Sequence, residues 1–198
     1  MASPSRLAWI AFGVVAVLLI GPRIGPAEPI TPLSAVPELH HLKGFHFIPH
    51  FKIGGKYTLG KQSSYAYGGE GGVTLESLDM KPLRTAYIAT GTPQYNKTGE
   101  IVNAVLINSY HSGDSTSMYH YWFAGQEGNS FSGGAVVGPG RLIDTNRYYV
   151  IFADSIGLFG ASKPSDGLGM KFPHYSYFDI AQANYRLLRD KLKVARLK

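Results

Sequence analysis

Four stretches of the chain carry a clear hydrophobic and polar rhythm. "VTLESLDM" (73–80) alternates apolar and polar positions, which predicts a half-buried strand. "RTAYIAT" (84–90) predicts a second strand, closed by the turn residues of "GTPQYNKTGE". "NAVLIN" (103–108) and "RYYVIFAD" (147–154) are short, nearly continuous apolar runs, the pattern of strands covered on both faces of a sheet. Between those two runs lies "SMYHYWFAG" (117–125), read as helix or loop, and the Gly/Ser/Pro segment "SIGLFGASKPSDG" follows the second. The last element predicts a helix. Ser176 stands at the N-cap with Asp179 three residues on, a capping box, and Phe178, Ala181, Tyr185, Leu188 and Leu192 recur at alternating spacings of three and four. Arg186, Arg189, Asp190 and Lys193 fall on the opposite side. Strands alternating with a crossover and a terminal helix predict an α/β fold. No internal repeat is visible.

Upstream of this region the rhythm changes. Leu7 to Ile20 is an unbroken apolar run after Arg6, ended by Gly-Pro breakers. As a helix it spans about 21 Å, short of the roughly 30 Å hydrocarbon core of a bilayer. With small residues at Gly25 and Ala27, residues 1–27 read as a signal peptide cleaved near Ala27, or as an uncleaved anchor if the helix extends over residues 7–21 and Arg6 and Arg23 reach the interface. Either reading places the domain outside the membrane, periplasmic or extracellular. Residues 28–72 form a Pro/His/Gly-rich extension, read as a surface linker with Phe45, Phe47 and Phe51 as aromatic anchors. His40, His41, His46 and His50 do not form the H-E-x-x-H motif of a helical metal site. "YAYGGEGG" (65–72) lacks the signatures of a phosphate loop. Residues 73–198 make up the α/β domain.

Charge adds one constraint. The formal net charge is +6, yet Arg186 to Lys198 holds six basic residues against the single acid Asp190, and the remainder is close to neutral. The cations read as the solvated face of a helix, and no nucleic-acid-binding motif accompanies them. The absence of cysteine excludes disulfides, thiolate metal ligands and a Cys nucleophile. No cofactor and no metal is implied.

"NSYHSGDST" (108–116) gathers the residue types of a Ser-His-Asp hydrolase in one loop. A working triad converges from separate elements, whereas neighbours on a loop diverge and lack a rigid scaffold. The residues alone therefore leave an ordinary strand-end loop and a local triad both open, with the triad the poorer geometry.

The order of motifs resembles a known family. "TLESLDMKPLRTAYIATGT", "NAVLINSYHSGD", "VVGPGRLIDTNRYYVIFADSIGLFGASKPSDG" and "KFPHYSYFDIAQANYRLLRDKL" occur in sequence and resemble the first half of homoserine O-acetyltransferase-like proteins of the α/β-hydrolase superfamily, over roughly residues 73–197. The resemblance implies an incomplete α/β-hydrolase-like sheet, N-terminal strands plus a crossover helix. It also implies acyl-transfer or ester-hydrolysis chemistry. In that superfamily the nucleophilic serine sits on a G-x-S-x-G elbow after the strand that follows this helix. No G-x-S-x-G occurs in the 198 residues, and "ARLK" reads as the approach to that strand. The expectation is a chain truncated before the elbow and inactive alone. By the same match, residues 109–113 form the oxyanion loop, with the backbone N–H of Tyr110 or His111 as donor and Gly113 permitting a tight turn. Ser112, Gly113, Asp154 and Ser155 are candidate pocket-lining residues. Asp144, Thr145 and Asn146 read as turn formers, and His120, Tyr121 and Trp122 as aromatic packing rather than pocket wall. An exported domain would lie away from acetyl-CoA, which favours hydrolysis over acetyl transfer. The alternative is a non-catalytic exported or membrane-anchored subunit. In both cases the sheet edge calls for a protein partner or self-association to cover it.

Overall fold

A computed structural model describes residues 37–54, 58–59, 62–63, 72–110, 113–123 and 136–198. These fall within one compact unit, Thr31–Lys198. The signal or anchor segment and the Gly-rich stretch 65–71 lie outside the described residues. Among the described residues no helix is long and apolar enough to cross a membrane.

Four strands build one mixed sheet: β1 (Gly44–Ile48), β2 (Leu83–Gly91), β3 (Ala104–Asn108) and β4 (Tyr149–Ala153). Their spatial order is β1-β2-β4-β3. β1 pairs antiparallel with β2 and β2 antiparallel with β4, whereas β4 and β3 run parallel in the register Ala104↔Tyr149 to Asn108↔Ala153. The parallel pair demands a crossover. Helix α1 (Ser115–Trp122) lies in it. Helix α2 (Tyr177–Arg186) follows β4 and continues into a π-helical turn, Leu187–Lys191.

The two helices cover opposite faces because strand side chains alternate. Val105 and Ile107 of β3 and Val150 and Phe152 of β4 join Met118, Tyr119 and Trp122 of α1. Ala104, Leu106 and Ile151 point the other way, onto Leu188, Leu192 and Val194 beyond α2. The apolar runs read as doubly covered strands are therefore β3 and β4. Trp122 belongs to the first of these clusters, in keeping with its reading as packing.

Three expectations need correction. Residues 73–80 alternate in polarity but form no strand: only Val73 bridges, to Ile53, and Glu76–Leu78 turn into a 3-10 helix stopped by Asp79 in the left-handed region at φ 59°. The segment read as a surface linker supplies the sheet's edge strand β1, and Ile48, Phe51 and Ile53 join the core with Leu75, Leu83, Ile156, Phe172 and Ala183. Phe45 and Phe47 are exposed on it, with the Arg84 guanidinium 5.8 Å from the Phe45 ring centroid. The buried stripe of α2 is also rotated from the apolar spacing. It runs through Asp179, Ala183, Asn184, Leu187 and Leu188, while Ala181 is exposed and Tyr185 is 55% exposed.

The end of the chain lies beside β3. Lys193 O accepts from Ile101 N (2.8 Å), Ala195 N donates to Ile101 O (2.8 Å) and Lys198 N donates to Ala104 O (2.9 Å), so residues 194–198 start a parallel pairing along that strand. This is the strand approach read in "ARLK". The cations nearby are partly engaged: Arg186 pairs with Asp190, and Arg189 reaches Glu100 at 3.5 Å.

Candidate functional site

The chain leaves β3 and β4 in opposite directions, toward α1 on one face and α2 on the other. Between two such parallel neighbours a crevice opens at the carboxyl ends of the strands, the position where α/β sheets bind ligands. A cavity of ≈ 670 Å³ lies there. Ser109 and Tyr110 line it from the loop after β3, Ser155, Ile156 and Leu158 from the loop after β4, and Tyr175, Tyr177, Phe178 and Ile180 from the start of α2. None of these side chains carries a charge. The volume suits a small organic ligand in an apolar wall with a few hydroxyls.

Local hydrogen bonds fix the wall. Ser109 O–H donates to Ser155 Oγ at 2.8 Å, and Ser155 N–H donates back to Ser109 Oγ at 2.9 Å, which ties the two strand-end loops together. Ser109 N–H donates to Ala153 O (3.0 Å), and Gly113 N–H closes a turn onto Tyr110 O (3.1 Å). Among the described residues, the Tyr110 N–H has no such acceptor. Asn184 Nδ2 donates to Asn108 Oδ1 (2.9 Å) and pins α2 to the end of β3. At the start of α2 the capping box forms: Asp179 Oδ2 accepts from Ser176 N (2.7 Å) and from Ser176 Oγ (2.9 Å), and Asp179 Oδ1 accepts from Gly54 N (2.9 Å).

Gly113 closes a turn onto Tyr110 and also packs against its ring, where a Cβ would overlap the ring atoms. Burial pushes the Tyr110 hydroxyl above the ordinary tyrosine range. His111 and Ser112 lie outside the described residues, so of the two amides expected to serve an oxyanion only that of Tyr110 is placed.

Asp154 departs from expectation: it does not line the cavity. It is buried, in a cluster with Lys43 and Asp114. Lys43 Nζ donates to Asp114 Oδ2 at 2.7 Å and to Asp154 Oδ2 at 2.9 Å. The second oxygens of both carboxylates bind the start of α1. Asp114 Oδ1 accepts from Ser117 N (2.9 Å) and Thr116 Oγ1 (2.7 Å), and Asp154 Oδ1 accepts from Ser115 N (2.6 Å). Burial raises the Asp154 carboxyl above the usual carboxylate range, against the opposing pull of Lys43 and Ser115. Burial pushes Asp114 the same way, but the Lys43, Ser117 and Thr116 hydrogen bonds outweigh it and hold that group low.

This cluster bears on the local triad. Asp114, the acid such a triad would need, is sealed from solvent and fully engaged by Lys43 and its own helix cap. Its carboxylate has no free oxygen with which to orient an imidazole. The amides of Ser115 and Ser117 at the α1 N-terminus are likewise occupied by these aspartates. Asp144 forms the turn expected of it, its Oδ1 accepting from Gly140 N and Asn146 N, each at 2.9 Å. No grouping of three metal-ligating side chains occurs among the described residues. The sequence reading missed Lys43 altogether, and with it the role of Asp114.

No family model matches the chain. The homoserine O-acetyltransferase of Desulfotalea psychrophila is 32% identical over 126 residues, covering 60% of this chain and 31% of that protein. That of Haloferax volcanii is 39% identical over 131 residues, covering 62% of this chain and 30% of the relative. The chain thus spans about a third of the length of the curated relatives it matches. Among solved structures, homoserine O-acetyltransferase from Bacillus anthracis aligns with a TM-score of 0.47 at 24% identity, over 78% of this chain and 38% of that one. An acetylester hydrolase from Corynebacterium glutamicum aligns with a TM-score of 0.46 at 23% identity, over 60% and 30% of the two chains. The chain is similar, over about 60% of its length, to proteins named homoserine O-acetyltransferase.

Proposed function

We propose that residues 73–198, with β1, supply the oxyanion loop and the acyl-pocket wall of an acyl-transfer or ester-hydrolysing site of the α/β-hydrolase type. The observation that carries this reading is the crevice at the carboxyl ends of β3 and β4, with Tyr110 in its wall. In such a site a serine attacks a carbonyl, and the negative charge that gathers on the carbonyl oxygen is met by backbone N–H groups already in place. Tyr110, with His111 next to it, is assigned that duty. The hydroxyls of Ser109 and Ser155 are bonded to each other at the wall and position the loops. The uncharged lining favours a neutral acyl group, since a charged ligand in an apolar wall needs a fixed counter-charge.

No G-x-S-x-G occurs among the 198 residues, and none of the residues above is proposed as the nucleophile, its base or its acid. Residues 1–27 are proposed to export or anchor the domain, which favours water over acetyl-CoA chemistry as the partner reaction. The side of β3 that faces away from β4 is proposed to pair, beyond Ala104, with a further strand.

The test is labelling of the 198-residue chain with a fluorophosphonate, which marks activated serines, followed by peptide mapping. The expected result is no labelled serine, and labelling only when a polypeptide carrying the elbow is added. A labelled Ser109 or Ser112 in the chain alone would overturn the assignment in favour of a local nucleophile. Failure of any elbow-bearing polypeptide to restore labelling would favour a non-catalytic subunit.

A further inference from the structure

Lys43 has no place in the oxyanion chemistry, yet among the described residues it is more deeply buried than Arg84, Lys163, Arg186 and Arg189, which also form ion pairs. It precedes the edge strand β1, and its partners lie 71 and 111 residues further along the chain. Its side chain is 5% exposed, and both carboxylates are 0% exposed. Gly160 lets the cluster close: a Cβ there would collide with Asp154 Oδ2 and stand 2.9 Å from Lys43 Nζ.

We propose that Lys43 is a positioning residue of the candidate acyl site, an electrostatic clasp that holds the loop after β3 to the loop after β4. The inference rests on the functional reading above for what the loops do. Its own basis is the geometry. Asp114 closes the loop that carries Tyr110, and Asp154 opens the loop that carries Ser155. Each gives one oxygen to the α1 N-terminus and the other to the single ammonium.

The charge balance makes the ammonium indispensable. Two buried carboxylates repel, and burial disfavours both charges. The α1 N-terminus offers only partial positive charge. Lys43 supplies the one full positive charge that both carboxyl groups face. Without it, two uncompensated carboxylates remain in a sealed site, the arrangement that destabilises most. They separate by moving the loops, because the strands beneath are fixed by their ladders.

The experiment is hydrogen exchange on the full 198-residue chain, comparing Lys43→Met, Lys43→Met/Asp154→Asn and the parent. Met keeps the apolar stem and removes the charge. In Lys43→Met, protection is expected to fall about tenfold or more in residues 109–117 and 153–158, with β1 and its ladder to β2 little changed. The double variant removes one carboxylate and is expected to restore the loops. If Lys43→Met does not fold, recovery of a folded chain by the added Asp154→Asn supports the clasp equally.

Loss of protection confined to β1 and its β2 ladder would overturn the proposal, since that is what a mere anchor for the edge strand would give. A double variant no better than Lys43→Met would overturn it too. None of these readouts needs catalysis. A chain that never labels with a fluorophosphonate, even when complemented, therefore sinks the functional reading while leaving the clasp standing.

Discussion

The hydroxyls of Ser109 and Ser155 meet at 2.8 Å across the carboxyl ends of two parallel strands. The contact is reciprocal, because the Ser155 amide donates to Ser109 Oγ in turn. Replacing Ser109 by Ala removes the acceptor and leaves that part-buried amide without its partner. Such a loss costs about 1–3 kcal/mol. Urea unfolding of Ser109→Ala should show a lower midpoint with an unchanged slope. Ser155→Ala removes only the hydroxyl and should cost less, and an equal or larger loss would mean that the amide finds another acceptor.

Gly113 gives a second prediction. A methyl group there enters the space of the Tyr110 ring, and overpacking of this kind costs about 1–3 kcal/mol. Gly113→Ala should displace the ring and change the near-ultraviolet circular dichroism of the tyrosines. Adding Tyr110→Ala should recover part of the stability, because the colliding partner is gone. A Gly113→Ala chain as stable as the parent would show that the ring moves aside freely, and would weaken the case for a fixed loop.

How far the sequence announced this architecture follows the range of the interactions involved. β2, β3, β4 and the helix start at Ser176 were legible because their signals are local: apolar runs, and a cap with its partner three residues on. The buried face of α2 was misjudged because hydrophobicity alone ignores polar residues buried for their bonds. Asp179 reaches Gly54 N and Asn184 reaches Asn108 Oδ1, so the helix rotates to bury them. The alternation of residues 73–80 was overruled by a left-handed turn at Asp79. Lys43 had no local signal at all. A lone lysine before a strand becomes meaningful only when folding brings two aspartates to it from far along the chain.

Asn103 illustrates the same long-range logic and yields a third prediction. Its buried amide accepts from Gln94 N (2.7 Å) and donates to Thr92 O (2.9 Å) and Arg147 O (2.7 Å), stitching the turn after β2 to the entries of β3 and β4. Asn103→Ala strands three backbone groups. With about 1–3 kcal/mol at stake for each that water cannot reach, this should be among the most destabilising single changes in the chain. Thermal unfolding is the measurement, and a loss below about 1 kcal/mol would mean that solvent enters the turn and replaces the amide.

The last prediction concerns pH and follows from the opposite behaviour of Asp114 and Asp154. Asp114 titrates below its ordinary value in the folded chain, so the unfolded chain binds its proton first as pH falls. Its contribution to stability is present above the unfolded value and is lost as pH drops through the folded one. Asp154 is raised by burial, so between the ordinary carboxylate value and its folded value the native chain holds the extra proton. Stability from this group is full below the ordinary value and declines as pH rises through that window. The two act in opposite senses: Asp114 adds to the loss of stability as pH falls, and Asp154 to the loss as pH rises above the ordinary carboxylate value. Urea midpoints measured across pH should show the fall in the parent chain and a flatter profile in Asp154→Asn. In Asp114→Asn the acid limb should shrink, and overall stability should drop because the α1 cap and one arm of the Lys43 clasp are weakened together. An Asp154→Asn profile as steep as the parent's would place the titration elsewhere and remove Asp154 from the account of the fall.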